Sequence, residues 1–123
     1  MYKILIADDG EDIRELIRLT LEEEGYELSE AVDGNDALEK ARALKPDLIV
    51  LDVMMPGKTG YVVCEELKKD PATKNIFILF LTARGSPISQ NTANQSGGDA
   101  YMTKPFEPAE LRTKVKKALG IKN

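Results

Sequence analysis

The segment Leu48-Ile49-Val50-Leu51-Asp52 decides the fold, because four consecutive apolar residues end there in a carboxylate. A continuously apolar strand is typical of a parallel sheet that is covered by helices on both faces. Residues 76–81 (IFILFL) have the same character and are followed by Thr82. These two segments therefore predict neighbouring central strands of a parallel α/β sheet.

Apolar runs bounded by turn signals predict five strands along the chain, over residues 3–7, 26–31, 47–51, 76–81 and 99–103. Helical spacing of apolar residues predicts helices over residues 13–21, 37–44, 61–69 and 108–119, which end near Gly25, Pro46, Pro71 and Gly120. Alternating strands and helices with right-handed crossovers favour a flavodoxin-like, doubly wound, three-layer α/β fold with strand order 2-1-3-4-5 and five helices.

The remaining helix, the fourth in chain order, is expected over residues 86–98, which contain few helix formers. Two interpretations remain open for this segment. It is either a surface helix held by packing alone, or a segment near the folding margin that reorders on a signal.

Length and composition exclude several classes of protein. The 123 residues suit one domain, and no apolar run approaches the roughly 18 residues of a membrane span. We therefore expect a cytoplasmic protein without a membrane partner. The net charge of -4 argues against direct nucleic-acid binding, and the absence of histidine excludes histidine-based triads and histidine metal sites.

The single cysteine, Cys64, lies among apolar residues, which favours core packing over a redox sensor.

Carboxylates follow two of the predicted strands. Asp8 and Asp9 follow the first strand and Asp52 follows the third, and in this strand order those ends are neighbours at the ligand-binding switch point. Mutual repulsion would favour a hard divalent cation, magnesium rather than calcium, with manganese as an alternative. For Asp8 and Asp9 taken alone, helix capping is an equally good interpretation.

The fourth and fifth strands are followed by Thr82 and Lys104. An aspartate can act as nucleophile toward a phosphoryl group, and such transfer needs mostly alignment and charge neutralisation, which Lys104 and a metal supply. Taken singly, Lys104 could be an ordinary exposed lysine and Thr82 a turn-capping hydroxyl.

Four motifs in this order resemble those of response-regulator receiver domains, and the resemblance spans residues 1–123 as a single domain. They are Ala7-Asp8-Asp9, Leu51-Asp52-Val53-Met54-Met55-Pro56-Gly57, Leu81-Thr82-Ala83 and Tyr101-Met102-Thr103-Lys104-Pro105-Phe106. The resemblance implies a signalling phosphoacceptor rather than a metabolic enzyme. Two departures from the family pattern are the small residue Gly10 and the polar segment 86–98.

The resemblance also implies roles for individual residues. Asp52 would be phosphorylated, with magnesium held directly by Asp9, Asp52 and the Met54 carbonyl, and by Asp8 through water. Lys104 would pair with the phosphoryl group, and the Lys104-Pro105 peptide bond would be cis. The switch residues would be Thr82 and Tyr101, and the lifetime of the phosphorylated state would be tuned by Met54 and Arg84.

The implied partners are a sensor histidine kinase or a histidine phosphotransfer protein as donor, and an effector protein or linked output domain as target. The donor would dock near Ile13, Pro105 and Phe106, although core packing is the simpler interpretation of Ile13. We expect a monomer that could dimerise on phosphorylation. The alternatives are an aspartate-dependent phosphatase of the haloacid-dehalogenase kind, disfavoured by Met54 where a second aspartate is needed, and an unphosphorylated interaction module. A nucleotide-binding role is disfavoured, because no glycine-rich phosphate-binding motif follows the first predicted strand.

Overall fold

The computed structural model describes residues 1–83 and 97–121. Nine elements occur in these residues: β1 (Lys3–Ala7), α1 (Glu11–Glu22), β2 (Glu27–Ala31), α2 (Gly34–Leu44), β3 (Leu48–Asp52), α3 (Gly60–Lys69), β4 (Phe77–Ala83), β5 (Ala100–Lys104) and α4 (Pro108–Leu119). The helix predicted over residues 86–98 falls almost entirely outside the described residues. Four of the five predicted helices are thus described.

The five strands form one parallel sheet in the order β2-β1-β3-β4-β5, which confirms the predicted flavodoxin-like topology. The register brings the carboxyl ends of the strands to one edge, with Ala7 opposite Leu51 and Ala83 opposite Lys104. The first residue after β1, Asp8, therefore lies level with Asp52, the last residue of β3.

Alternate residues of each central strand supply two separate cores. One face, which includes Leu51 and Phe80, packs against α2 and α3 in a cluster that contains the fully buried Cys64. The opposite face, which includes Val50 and Leu81, packs against α1 and α4. The continuously apolar pattern of β3 thus results from helices on both sides.

Local signals fix the helix ends. The Asp33 side chain accepts a hydrogen bond from the Asp36 N–H at the start of α2, and Thr59 does the same for Val62 at the start of α3. Helix α4 begins at Pro108 and ends at Leu119, and the next residue, Gly120, adopts a left-handed conformation.

The predicted strand ends are wrong by one or two residues on the functional edge. Asp52 and Lys104 are the last residues of their strands rather than the first residues beyond them, and Thr82 lies inside β4, paired with Thr103. The ladder extends beyond the continuous apolar run of each strand because a neighbouring strand remains available for pairing. None of the helices described here has the length and apolar character that a membrane crossing requires.

Candidate functional site

Three carboxylates meet at the carboxyl edge of the sheet. One oxygen from each of Asp8, Asp9 and Asp52 lies within 4.8 Å of the others. Asp8 and Asp52 are buried, with 1% and 5% of their surface exposed, whereas Asp9 is exposed. Since carboxylate oxygens are the ligands that hard divalent cations prefer, the cluster can hold one such ion with one side open to solvent.

Lys104 links two of these carboxylates. Its Nζ donates a hydrogen bond to Asp8 Oδ2 at 2.8 Å and lies 3.2 Å from Asp52 Oδ1. The lysine therefore reaches across β3 and β4 from the end of β5. The Lys104 ammonium offsets the negative charge of one of the three carboxylates, so the net charge of these four side chains is negative when all three carboxylates are ionised.

Burial and charge shift the pKa of both members of the Asp52–Lys104 pair. Burial, followed by the negative charge of Asp8, raises the pKa of Asp52, although Lys104 and the Met54 N–H act in the opposite direction. Burial lowers the pKa of Lys104, but its contacts with Asp8 and Asp52 outweigh that effect and leave its pKa raised. Lys104 is therefore a cation at neutral pH. The ionised form of Asp52 is destabilised, first by burial and then by repulsion from Asp8.

The loop after β3 wraps closely around Asp52. The Met54 N–H donates to Asp52 Oδ1 at 3.4 Å, while Met54 as a whole is 71% exposed beside the site. At the other end of the loop the Gly60 N–H donates to the Val53 carbonyl at 2.9 Å. A Cβ atom at Gly60 would overlap the Asp52 carbonyl, so the close approach of α3 to β3 requires glycine.

The remaining predicted site residues occupy neighbouring positions. Thr82 is buried near the end of β4, and Tyr101 is half-buried against the core cluster that contains Phe80. Ile13 and Phe106 are partly buried against the core on the α1 and α4 side. Pro105 is exposed, and its peptide bond with Lys104 is cis. Arg84 lies outside the described residues.

Arg14 on α1 is a site residue that the sequence did not indicate. Its Nη1 donates to the Asp8 carbonyl at 2.8 Å, and its Nε donates to Glu30 Oε1 at 3.2 Å. Arg14 lies three and seven residues before the buried Ile17 and Leu21, so its spacing places it on the apolar face of α1 and does not indicate which polar groups it contacts. Its two partners lie directly after β1 and on β2, and no local pattern encodes them.

Lys68 on α3 is a second residue that the sequence did not indicate. Its Nζ donates to the carbonyls of Lys74 and Ile76 and to Asp99 Oδ2, at 3.1, 2.7 and 2.9 Å. The same Asp99 oxygen accepts the Ile78 N–H at 2.9 Å. Lys68 thus ties α3 to the residue immediately before β5, the strand that carries Lys104.

The family model for the response regulator receiver domain matches residues 4–116. The chain belongs to the response regulator receiver domain family. It is similar to the alkaline phosphatase synthesis transcriptional regulatory protein PhoP of Bacillus subtilis, with 46% sequence identity. The match covers 95% of this chain and 48% of PhoP. The DNA-binding dual master transcriptional regulator RpaA of Synechocystis is 41% identical, with 97% of this chain and 49% of that protein covered.

Solved structures agree with this assignment to the receiver family. The chemotaxis response regulator CheY4 of Vibrio cholerae superposes with a TM-score of 0.90 at 34% identity, over 96% of this chain and 98% of that one. The receiver domain spans about half the length of the curated relatives that it matches. It is therefore a receiver domain of two-component signalling, as the four motifs predicted.

Proposed function

We propose that Asp52 of this receiver domain accepts a phosphoryl group from a phosphohistidine on a sensor histidine kinase or histidine phosphotransfer protein, or from a small phosphodonor. The observation that supports this most strongly is the buried Asp52 carboxylate, within 4.8 Å of Asp8 and Asp9 oxygens and 3.2 Å from the Lys104 ammonium. These contacts give one nucleophile, one cation and a surplus of oxygen ligands at a single edge of the sheet.

The donor set fits magnesium, with manganese as an alternative. Asp9, Asp52 and the Met54 carbonyl would hold the ion directly, and Asp8, already hydrogen-bonded to Gly10 N–H at 2.8 Å, would act through water. When bound, the ion neutralises charge on the phosphoryl oxygens. The exposure of Asp9 keeps a path for ligand entry.

In the transfer, an Asp52 carboxylate oxygen forms a bond to phosphorus while the phosphorus–nitrogen bond of the donor histidine breaks. The leaving imidazole takes its proton from solvent. Lys104 transfers its hydrogen bond from an aspartate to a phosphoryl oxygen, because the new group brings roughly 1.5 to 2 negative charges. Hydrolysis of the acyl phosphate by water resets Asp52, and the side chains of Met54 and Arg84 tune access of that water.

The switch would pass from Asp52 to Thr82 and Tyr101. Thr82 stands on β4, next to the strand that ends in Asp52, and its hydroxyl would move to hydrogen-bond the phosphoryl group. Tyr101 on β5 lies opposite Phe80 of β4 and would change rotamer into the space that Thr82 leaves. The result is a population shift at the surface near β5 and α4 that an effector or a linked output domain reads.

The phosphodonor would dock over Ile13, Pro105 and Phe106, which flank the site on the α1 and α4 side. Pro105 is exposed and Phe106 is partly buried. Phe106→Ala is expected to slow transfer from the kinase but to leave phosphorylation by acetyl phosphate unchanged. An equal loss with both donors would refute docking at this position.

We further propose that residues 1–123 are a single domain. It would act in the cytoplasm without direct nucleic-acid or membrane contacts, as a monomer that can pair on phosphorylation. Its only catalysis would be its own phosphorylation and dephosphorylation.

The test of this function is intact mass after incubation with acetyl phosphate, with and without magnesium, for the wild type and Asp52→Asn. A gain of one phosphoryl group that requires magnesium and is absent from the variant supports the proposal. If the wild type gains no mass under any condition, the proposal fails and the unphosphorylated interaction module remains.

A further inference from the structure

A guanidinium lies behind the acidic cluster. The Arg14 side chain is 14% exposed, and its Nη1 contacts the main-chain carbonyl of Asp8 rather than any carboxylate of the cluster. A fixed positive charge beside a cation site disfavours the cation electrostatically. The positive charge of Arg14 therefore does not explain why an arginine lies beside a cation site. Its hydrogen bond to the Asp8 carbonyl gives a geometric explanation.

Every polar group of Asp8 is held by a different partner. Its N–H donates to the Ala31 carbonyl at 3.2 Å, its Oδ1 accepts the Gly10 N–H at 2.8 Å, and its Oδ2 accepts Lys104. Arg14 holds the fourth group, the carbonyl, at 2.8 Å. That carbonyl belongs to the peptide unit between Asp8 and Asp9, so its direction sets where the Asp9 backbone begins.

The orientation of Arg14 is itself fixed by Glu30 on β2. Glu30 Oε1 accepts the Arg14 Nε at 3.2 Å, while Glu30 Oε2 lies 3.6 Å from the Nε of Arg18, one turn further along α1. A planar guanidinium can satisfy Glu30 and the Asp8 carbonyl together, which a lysine ammonium on a flexible stem does poorly.

We propose that Arg14, oriented by Glu30, is a positioning residue for the divalent-cation site: it fixes the peptide between Asp8 and Asp9 so that both carboxylates face Asp52. This inference rests on the proposed function, because it assigns a role toward the cation that the function requires. Groups that orient metal ligands without touching the metal commonly change metal affinity by about 10–100-fold when removed.

The experiment compares Arg14→Met with Arg18→Met. Both arginines lie on α1 and pair with Glu30, but the other ion pair of Arg18 is with Glu22, at 3.7 Å. Magnesium and manganese affinity is measured by calorimetry on the unphosphorylated protein, together with the magnesium dependence of phosphorylation by acetyl phosphate. Circular dichroism and melting temperature show the folded fraction of each variant.

We expect Arg14→Met to weaken magnesium binding about tenfold. Saturating magnesium should restore its phosphorylation rate, because the nucleophile is intact. Arg18→Met should bind magnesium as the wild type does, or slightly more tightly, because it removes positive charge only. Arg14→Lys should recover part of the lost affinity, and it replaces Arg14→Met in the comparison if the latter does not fold.

Unchanged or tighter magnesium binding by Arg14→Met, with normal binding by the wild type, would overturn the positioning role and leave the proposed function intact. Equal weakening by Arg14→Met and Arg18→Met would also overturn it, since both would then act through Glu30 or helix stability. Absence of magnesium binding in the wild type would overturn the proposed function together with this inference.

Discussion

Replacement of Lys68 by methionine tests whether the α3 anchor holds the start of β5. Methionine keeps most of the apolar stem and has a similar helix propensity, so the change removes mainly the ammonium group. The neighbouring Lys69→Met is a matched control, because both lysines lie in the last turn of α3. Lys69 pairs with Glu65 at 2.9 Å, with side chains 73% and 54% exposed.

The expected magnitude follows from the three acceptors of Lys68. A hydrogen bond to a charged group contributes about 1.5–3 kcal/mol, and the bond to the Ile76 carbonyl is partly buried, so it counts in full. The bonds to Lys74 and Asp99 are exposed, so water replaces most of them and they add at most about 1 kcal/mol. We therefore expect Lys68→Met to lose about 1.5–4 kcal/mol of unfolding free energy, against about 0.5 kcal/mol or less for Lys69→Met.

Thermal and urea unfolding of the two variants measure this difference. At about 4 °C per kcal/mol for a domain of this size, the midpoint of Lys68→Met should fall by about 6–16 °C. Hydrogen exchange at the β5 amides should accelerate in the same variant, because Asp99 loses the Lys68 ammonium and keeps only the Ile78 N–H on that carboxylate oxygen. Equal loss of stability in the two variants would refute this expectation, since the partly buried contact with the Ile76 carbonyl would then contribute nothing.

Three further predictions concern residues in and around the site. Gly60→Ala should cost about 1–3 kcal/mol of unfolding free energy although alanine favours helix, because its Cβ would meet the Asp52 carbonyl; an unchanged melting temperature would contradict this. Burial raises the pKa of Cys64 to about 12, so iodoacetamide at neutral pH should leave the folded protein unlabelled and label it in urea; rapid labelling without urea would revive the redox-sensor interpretation. The raised pKa of Asp52 means that its ionised form destabilises the fold above that pKa, and that this penalty disappears as the pH falls toward the ordinary aspartate range. Asp52→Asn should therefore melt a few degrees higher than the wild type at pH 7 without metal, with a smaller gain at acidic pH or with magnesium; a lower melting temperature at pH 7 would contradict the strained carboxylate.

Much of the fold was predictable because its signals are local. The apolar run of β3 and the spacing in α1 each identify an element from consecutive residues, and the short connections leave few topologies. The meeting of Asp8 with Asp52 then follows from strand order alone. The ends of the strands were less predictable, since pairing with β5 carries β4 two residues past Leu81, the end of its continuous apolar run, to include Thr82.

The supports of the site could not be predicted from the sequence. Arg14 and Lys68 each donate hydrogen bonds to main-chain carbonyls of residues outside their own helices. Every residue has such a carbonyl, so residue type does not show which one is bound. Gly60 is equally silent, because the need for glycine arises from the distance between α3 and β3 in the folded chain. Sequence reasoning therefore found groups that define the chemistry by their residue type, and missed those that act by position.

Chemical localisation of the phosphoryl group tests the central proposal most directly. Borohydride reduces the acyl phosphate of an aspartate to the alcohol, so the acceptor becomes homoserine and can be located by peptide mass spectrometry after treatment with acetyl phosphate and magnesium. We predict homoserine at residue 52 and at neither Asp8 nor Asp9. Homoserine at either of those residues, or a phosphoryl group that resists reduction because it is on a hydroxyl, would contradict it.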